Sequence, residues 1–114
     1  MEDRFLRQLK KGVLEMLVLE TICQEPAYGY ELMTGLGRRS GGLFAVKEGT
    51  LYPILYRLED EGLITASWSA GEGRTSPKKI YTATPLGQKT ALEHRKLWRE
   101  FALAVDGLCG EEEA

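Results

Sequence analysis

Apolar residues recur at helical spacing over four stretches of this chain and alternate over two. The clearest helical run spans residues 47–64, K-E-G-T-L-Y-P-I-L-Y-R-L-E-D-E-G-L-I, where Leu51, Ile54, Leu55 and Leu58 return to one side at intervals of three and four. That side is core. The opposite side carries Gly49, Pro53, Tyr56, Arg57 and Asp60, which are small, aromatic or charged and suited to contact rather than burial. Gly62 stands where a left-handed helix cap is wanted, and residues 63–65, L-I-T, open a strand. Upstream, Leu6, Leu9, Val13, Met16, Leu17 and Ile22 predict a helix over residues 5–24, ended by Glu25-Pro26, with Gly12 a weak point dividing a protruding arm from the packed part. A second helix is predicted over residues 28–39 with Leu32, Met33 and Leu36 inward. Its internal Gly35 and Gly37 make it a poor helix in isolation, so packing must hold it.

Ser40-Gly41-Gly42 reads as a loop, and residues 43–46, L-F-A-V, as a short extended stretch leading into the third helix and pairing with the strands that follow. Residues 63–69 and 78–82 form the two strand-like runs, joined by the glycine-, serine- and proline-bearing turn of residues 70–77. Ile64, Ala66 and Trp68 share one face of the first run, while Ile80 and Thr82 are expected inward from the second. Thr84 and Pro85 are a helix N-cap and first position, and the final helix runs to about Leu108. Its residues Trp98, Phe101, Val105 and Leu108, with Leu97 and Ala102 beside them, follow the three-four-three spacing of a helix-helix seam. A short helix running straight into a two-stranded turn is the layout of a winged helix-turn-helix, in which the helix reads DNA and the strands form the wing. The expected fold is therefore mainly α with a small β wing, carrying a long C-terminal helix that exceeds what such a core needs.

Three blocks carry a resemblance to a known family. Residues 49–64, G-T-L-Y-P-I-L-Y-R-L-E-D-E-G-L-I, residues 28–32, Y-G-Y-E-L, and residues 78–87, K-K-I-Y-T-A-T-P-L-G, together resemble the signature of PadR-type transcriptional regulators, in order and spacing, across residues 14–92. Ala83 departs from the pattern, which has a larger apolar residue before the threonine. The length resembles the short-form branch, where one C-terminal helix replaces a longer helical domain. On that basis residues 1–84 are the DNA-binding domain with its N-terminal helix, 85–108 a dimerisation helix and 109–114 an acidic tail expected to be disordered. The resemblance implies a homodimeric repressor on an inverted-repeat operator of double-stranded DNA.

Composition adjusts this picture only in part. The chain has 114 residues, 43% hydrophobic and 28% charged, as one soluble globular domain does. No run of about 18 or more apolar residues occurs, and the N-terminus lacks the features of a signal peptide, so a cytoplasmic protein with no membrane partner is expected. The net charge of −2 argues mildly against nucleic acid, yet Asp106 and Glu111, Glu112 and Glu113 supply four of the negative charges. Residues 1–105 carry 15 basic and 13 acidic groups, with Arg38, Arg39, Lys47, Arg57, Arg74, Lys78 and Lys79 in the segments expected to face DNA. Cys23 and Cys109 match no metal or redox spacing.

For DNA contact, Lys47 is assigned to phosphates near the third helix, and Arg74, Lys78 and Lys79 to the backbone or minor groove beside the wing. Thr50, Tyr52, Pro53, Tyr56 and Arg57 are the candidates for the major groove, with Tyr52 toward the flank. Tyr28 and Tyr30 resemble family positions close to the DNA backbone. Each group has a plainer reading as a solvated hairpin or as half-buried aromatics. Some short-form members bind flat hydrophobic compounds between tryptophans of the two dimerisation helices. Trp98, Phe101 and Val105, with Leu9 or Val13 of the other chain, would line such an effector site here, and a plain interface aromatic accounts for Trp98 equally well. No nucleophile motif, carboxylate pair, metal cluster or phosphate-binding loop points to an enzyme, and no cofactor is expected. The competing reading is a winged-helix module that binds protein, which the pI near 5.5 keeps open.

Overall fold

The computed structural model describes residues 4–69 and 77–110. Four helices and three short strands follow in the order α1 (Arg4–Gln24), β1 (Ala27–Tyr28), α2 (Gly29–Arg39), α3 (Glu48–Asp60), β2 (Ile64–Trp68), β3 (Lys79–Ala83) and α4 (Pro85–Cys109). The strands form one antiparallel sheet in the order β1-β3-β2. This is the mainly helical, winged-helix architecture expected. Fully buried Val18 and Leu19 of α1, Leu32 of α2, Leu51 and Leu55 of α3 and Tyr81 of β3 meet at its centre.

Helix α1 crosses Gly12 without interruption, so no break separates an arm from the packed part. What changes near Gly12 is burial: among the described residues the first that is buried is Leu14, and those before it are exposed or half-buried. Pro26 then ends the helix and leaves Ala27 and Tyr28 extended, with Tyr28 at φ −81° and ψ 160°. Those two residues, not residues 43–46, pair with the wing: Ala27 lies opposite Tyr81 and Tyr28 opposite Ile80. The backbone donors of residues 43–45 turn back on the preceding loop instead of joining a ladder. Gly41 and Gly42 take φ of 61° and 90°, Leu43 N donates to Ser40 O at 3.1 Å, Phe44 N to Ser40 Oγ at 2.8 Å, and Ala45 N to Gly42 O at 3.2 Å.

The end of α3 follows the sequence expectation. Gly62 adopts φ 78°, and Leu63 N donates back to Leu58 O at 2.9 Å, a left-handed cap that turns the chain into β2. The phase of β3 does not follow it. Ile64 faces Ala83 and Ala66 faces Tyr81, and directly opposed residues share a face, so Tyr81 and Ala83 point to the core. Ile80 is only half-buried and Thr82 is exposed. Trp68 does share the face of Ile64 and Ala66, but it stands past the edge of the core and is 68% exposed.

Thr84 begins α4 by accepting from Gly87 N at 3.0 Å while its hydroxyl donates to Gly62 O at 2.7 Å. The N-terminal turns of α4 dock closely: a Cβ at Gly87 would collide with the Leu63 carbonyl. Gln88 donates to Cys23 O at 3.3 Å and Arg95 pairs with Glu20 at 2.7 Å, so α4 runs antiparallel to α1. Burial raises the pKa of the Cys23 thiol, with Glu20 adding to it, which fits a small packing residue. Past Ala91 no residue of α4 is buried.

Candidate nucleic-acid interface

The N-terminus of α2, the outer face of α3 and the free end of β2 and β3 surround an open groove of about 900 Å³. Its back is Tyr81, 1% exposed, whose hydroxyl is buried with no hydrogen-bond partner. Burial, with Tyr52, Tyr56 and Glu59 adding, pushes the pKa of that phenol up to about 12, so the ring stays neutral. Lys79 Nζ lies 5.6 Å from the Tyr81 ring centroid and 5.9 Å from that of Tyr56, an ammonium held between two aromatic faces. Lys78 Nζ lies 5.2 Å from the Tyr28 ring centroid.

Local structure fixes these side chains. Tyr28 caps α2 as Glu31 Oε1 accepts from Tyr28 N at 2.9 Å, which leaves Tyr30 in the first turn, 72% exposed. The Tyr52 hydroxyl lies against Gly29, where a Cβ would overlap it, so close approach of α3 to the start of α2 depends on that glycine. Tyr52 and Tyr56, one turn apart on α3, have ring centroids 6.4 Å apart at 43°. Glycine, lysine and tyrosine thus produce one surface of aromatic rings with two ammonium groups against it.

Of the sequence-predicted DNA contacts, Tyr28, Tyr30, Tyr52, Tyr56, Lys78 and Lys79 come together at this groove. Lys47, Thr50 and Pro53 are exposed at the N-terminal half of α3 and do not line it. Arg74 lies outside the described residues. Arg57 departs from the expected grouping: its Nη2 and Nε donate to Glu15 Oε1 of α1 at 2.9 and 3.2 Å, so the guanidinium turns toward α1. Four lining residues were missed from the sequence: Gly29 and Glu31 at the start of α2, and Trp68 and Tyr81 on the strands. Counting the alternation of β3 back from Ile64 through the pairing would have placed Tyr81 on the inner face. Trp68 needed the length of the core, which no local pattern carries.

The residues assigned to an effector lie at another end of the molecule. Trp98, Phe101 and Val105 on α4 are 42%, 58% and 41% exposed, with the rings of Trp98 and Phe101 6.2 Å apart. Leu9 is exposed and Val13 half-buried on the N-terminal half of α1, which the antiparallel arrangement sets at the same end as the C-terminal half of α4. Among the described residues no cluster of three or more His, Cys, Asp or Glu could hold a metal ion, and no helix is long and apolar enough to cross a membrane.

Comparison with known proteins agrees with this fold. The model of the transcriptional regulator PadR-like family matches residues 18–93. A transcriptional regulator of Mycobacterium tuberculosis is 30% identical over 102 residues, covering 90% of this chain and 91% of that protein. The crystal structure of a PadR family transcriptional regulator from Eggerthella lenta superposes with a TM-score of 0.83 at 32% identity, over 95% of this chain and 91% of that one. A PadR-like transcriptional regulator from Bacillus cereus gives a TM-score of 0.78 at 35% identity, over 92% and 99%.

Proposed function

The chain belongs to the PadR-like family of transcriptional regulators, and from that premise we propose that it acts in the cytoplasm as a homodimeric repressor on an inverted-repeat operator. The observation that carries DNA contact is the groove itself: Lys78 and Lys79 converge with Tyr28, Tyr30 and Tyr56 beside the exposed face of α3. The lysines neutralise phosphates, and Thr50, Pro53 and Tyr56 meet base edges in the major groove. Lys47 holds the backbone at the start of α3.

Dimerisation supplies the second half-site. Trp98, Phe101, Val105 and Leu108 leave one side of α4 apolar and open to solvent, with Leu108 91% exposed. A two-fold pairing of this surface buries it and sets the half-sites about one helical turn apart, or a multiple. A flat hydrophobic effector held at Trp98, Phe101 and Val105, with Leu9 or Val13 completing the pocket, would release DNA if it binds one spacing of the two recognition helices better than another.

The test is a footprint on the promoter region of its own gene at low and moderate salt, followed by Lys78→Ala with Lys79→Ala. A protected inverted repeat that fades with salt is expected. The double variant should bind all sequences more weakly and lower the slope of log affinity against log salt by about 0.9 for each phosphate it no longer neutralises. Unchanged affinity of the double variant at low salt would refute the assignment of the wing. No protection by a folded dimer at any salt would favour a protein-binding module instead.

A further inference from the structure

Trp68 has no place in the functions assigned so far. It is 68% exposed at the last position of β2, opposite Lys79. A single exposed apolar residue needs no explanation. This one, however, lines the same groove as Tyr30 and Tyr56, themselves 72% and 56% exposed, and the Lys79 ammonium lies over the Tyr56 ring. Nor does it extend the open apolar side of α4. Ile64 and its partner Ala83 stand at the end of the sheet that leads into α4, and Trp68 lies four residues further along β2, about 13 Å at strand rise.

We propose that Trp68 is a non-ionic DNA contact, its indole packing on the deoxyribose face of the backbone strand that crosses the groove between α3 and the wing. This rests on the DNA-binding reading above. Alternating phosphate and sugar along a DNA strand present alternating charge and apolar surface. The groove joins exposed Trp68, Tyr30 and Tyr56 in one lining with the ammonium groups of Lys78, over the Tyr28 ring, and Lys79, over the Tyr56 ring, while the one carboxylate there, Glu31, is engaged in capping α2. In a duplex the bases are stacked inside and the sugars are the apolar surface an indole can reach, so the contact is blind to sequence. It adds affinity without releasing counterions, which distinguishes it from the lysines.

The experiment uses the full chain and a mixed-sequence duplex of about three helical turns, with binding read by anisotropy of a label on the DNA and, separately, by tryptophan emission. Saturating DNA should shift the wild-type emission and shield it from acrylamide. Trp68→Phe should still bind by anisotropy while that optical change disappears, although Trp98 remains. Trp68→Ala should bind about tenfold more weakly, as the lost burial of roughly 55 Å² of apolar surface implies, with the salt slope unchanged. An optical change that persists in Trp68→Phe, or wild-type affinity in Trp68→Ala, overturns the role of Trp68 while leaving DNA binding intact. A wild-type protein that shows no anisotropy change overturns both.

Discussion

Glu15 should act as a brake on DNA binding through Arg57. Arg57 is the one arginine on the outer face of α3, yet its guanidinium donates twice to a single oxygen of Glu15, at 2.9 and 3.2 Å. To reach a base edge it must first leave that carboxylate. The side chains are 55% and 33% exposed, so water already screens the pair and its worth is that of a surface ion pair, about 0.2 to 1 kcal/mol. Glu15→Gln keeps the shape and removes the charge. Each protomer then gains up to about fivefold in DNA affinity, and a two-fold dimer with two such contacts up to about 25-fold. Fold stability should fall by less than about 1 kcal/mol.

The assay is anisotropy with a labelled promoter duplex at low salt, run as a cycle with Arg57→Ala. If Glu15 acts by holding Arg57, Glu15→Gln raises affinity in the wild-type background and does nothing where Arg57 is absent. The gain should also shrink as salt rises, because the pair is partly exposed. An equal gain in the Arg57→Ala background would mean that Glu15 merely repels DNA as a negative charge. A loss of affinity in Glu15→Gln would reverse the argument, since Arg57 would then need Glu15 to orient it.

Two glycine substitutions should have opposite signs in thermal denaturation. Gly87→Ala drives a methyl group into the Leu63 carbonyl that also accepts from Thr84 N, and should cost about 3 kcal/mol or more; Gly35→Ala, with open space around it inside α2, should stabilise by roughly 0.5 to 1 kcal/mol. Removing the orphan hydroxyl in Tyr81→Phe should stabilise by roughly 1 kcal/mol. Because the folded pKa of Tyr81 is raised from 10.0 to about 12, its contribution is full below about pH 10 and is lost as pH climbs toward 12, so denaturant midpoints of the wild type should fall more steeply over that window than those of Tyr81→Phe.

Where an element is signalled by residues within one or two turns, the sequence was enough. The repeat Leu51, Leu55, Leu58 with Gly62 after it, and Thr84 with Pro85, each specify their structure locally. Errors arose where a distant partner decides. Strand β1 is two residues long, too short to show a period, and exists only because β3 pairs with it. Tyr81 rather than Ile80 faces the core because of its register against Ala66, although isoleucine is the more obvious core residue. The Arg57 ion pair spans 42 residues of sequence. For the site, the tyrosines and lysines were legible because they flank recognisable motifs, whereas their convergence on one groove, and Trp68 within it, depends on how far the sheet outruns the core.

The long-range contacts also bear on how the two ends of the molecule communicate. Helix α1 packs against both α3 and α4, and it ties each through a carboxylate: Glu15 holds Arg57 of α3, and Glu20 holds Arg95 of α4. Residues 15 and 20 lie on different sides of one continuous helix, at about 100° per residue, so α1 stands as a bar between the apolar surface of α4 and the outer surface of α3. Were a ligand to wedge at Trp98 and Phe101, as proposed above, it would press on the N-terminal half of that bar. A rotation there would be delivered at Glu15, and hence at Arg57, without any rearrangement inside the core. If so, the response of DNA affinity to such a ligand should shrink in Glu15→Gln while ligand binding itself is unchanged, and a full response in that variant would mean that α4 repositions the domain as a whole.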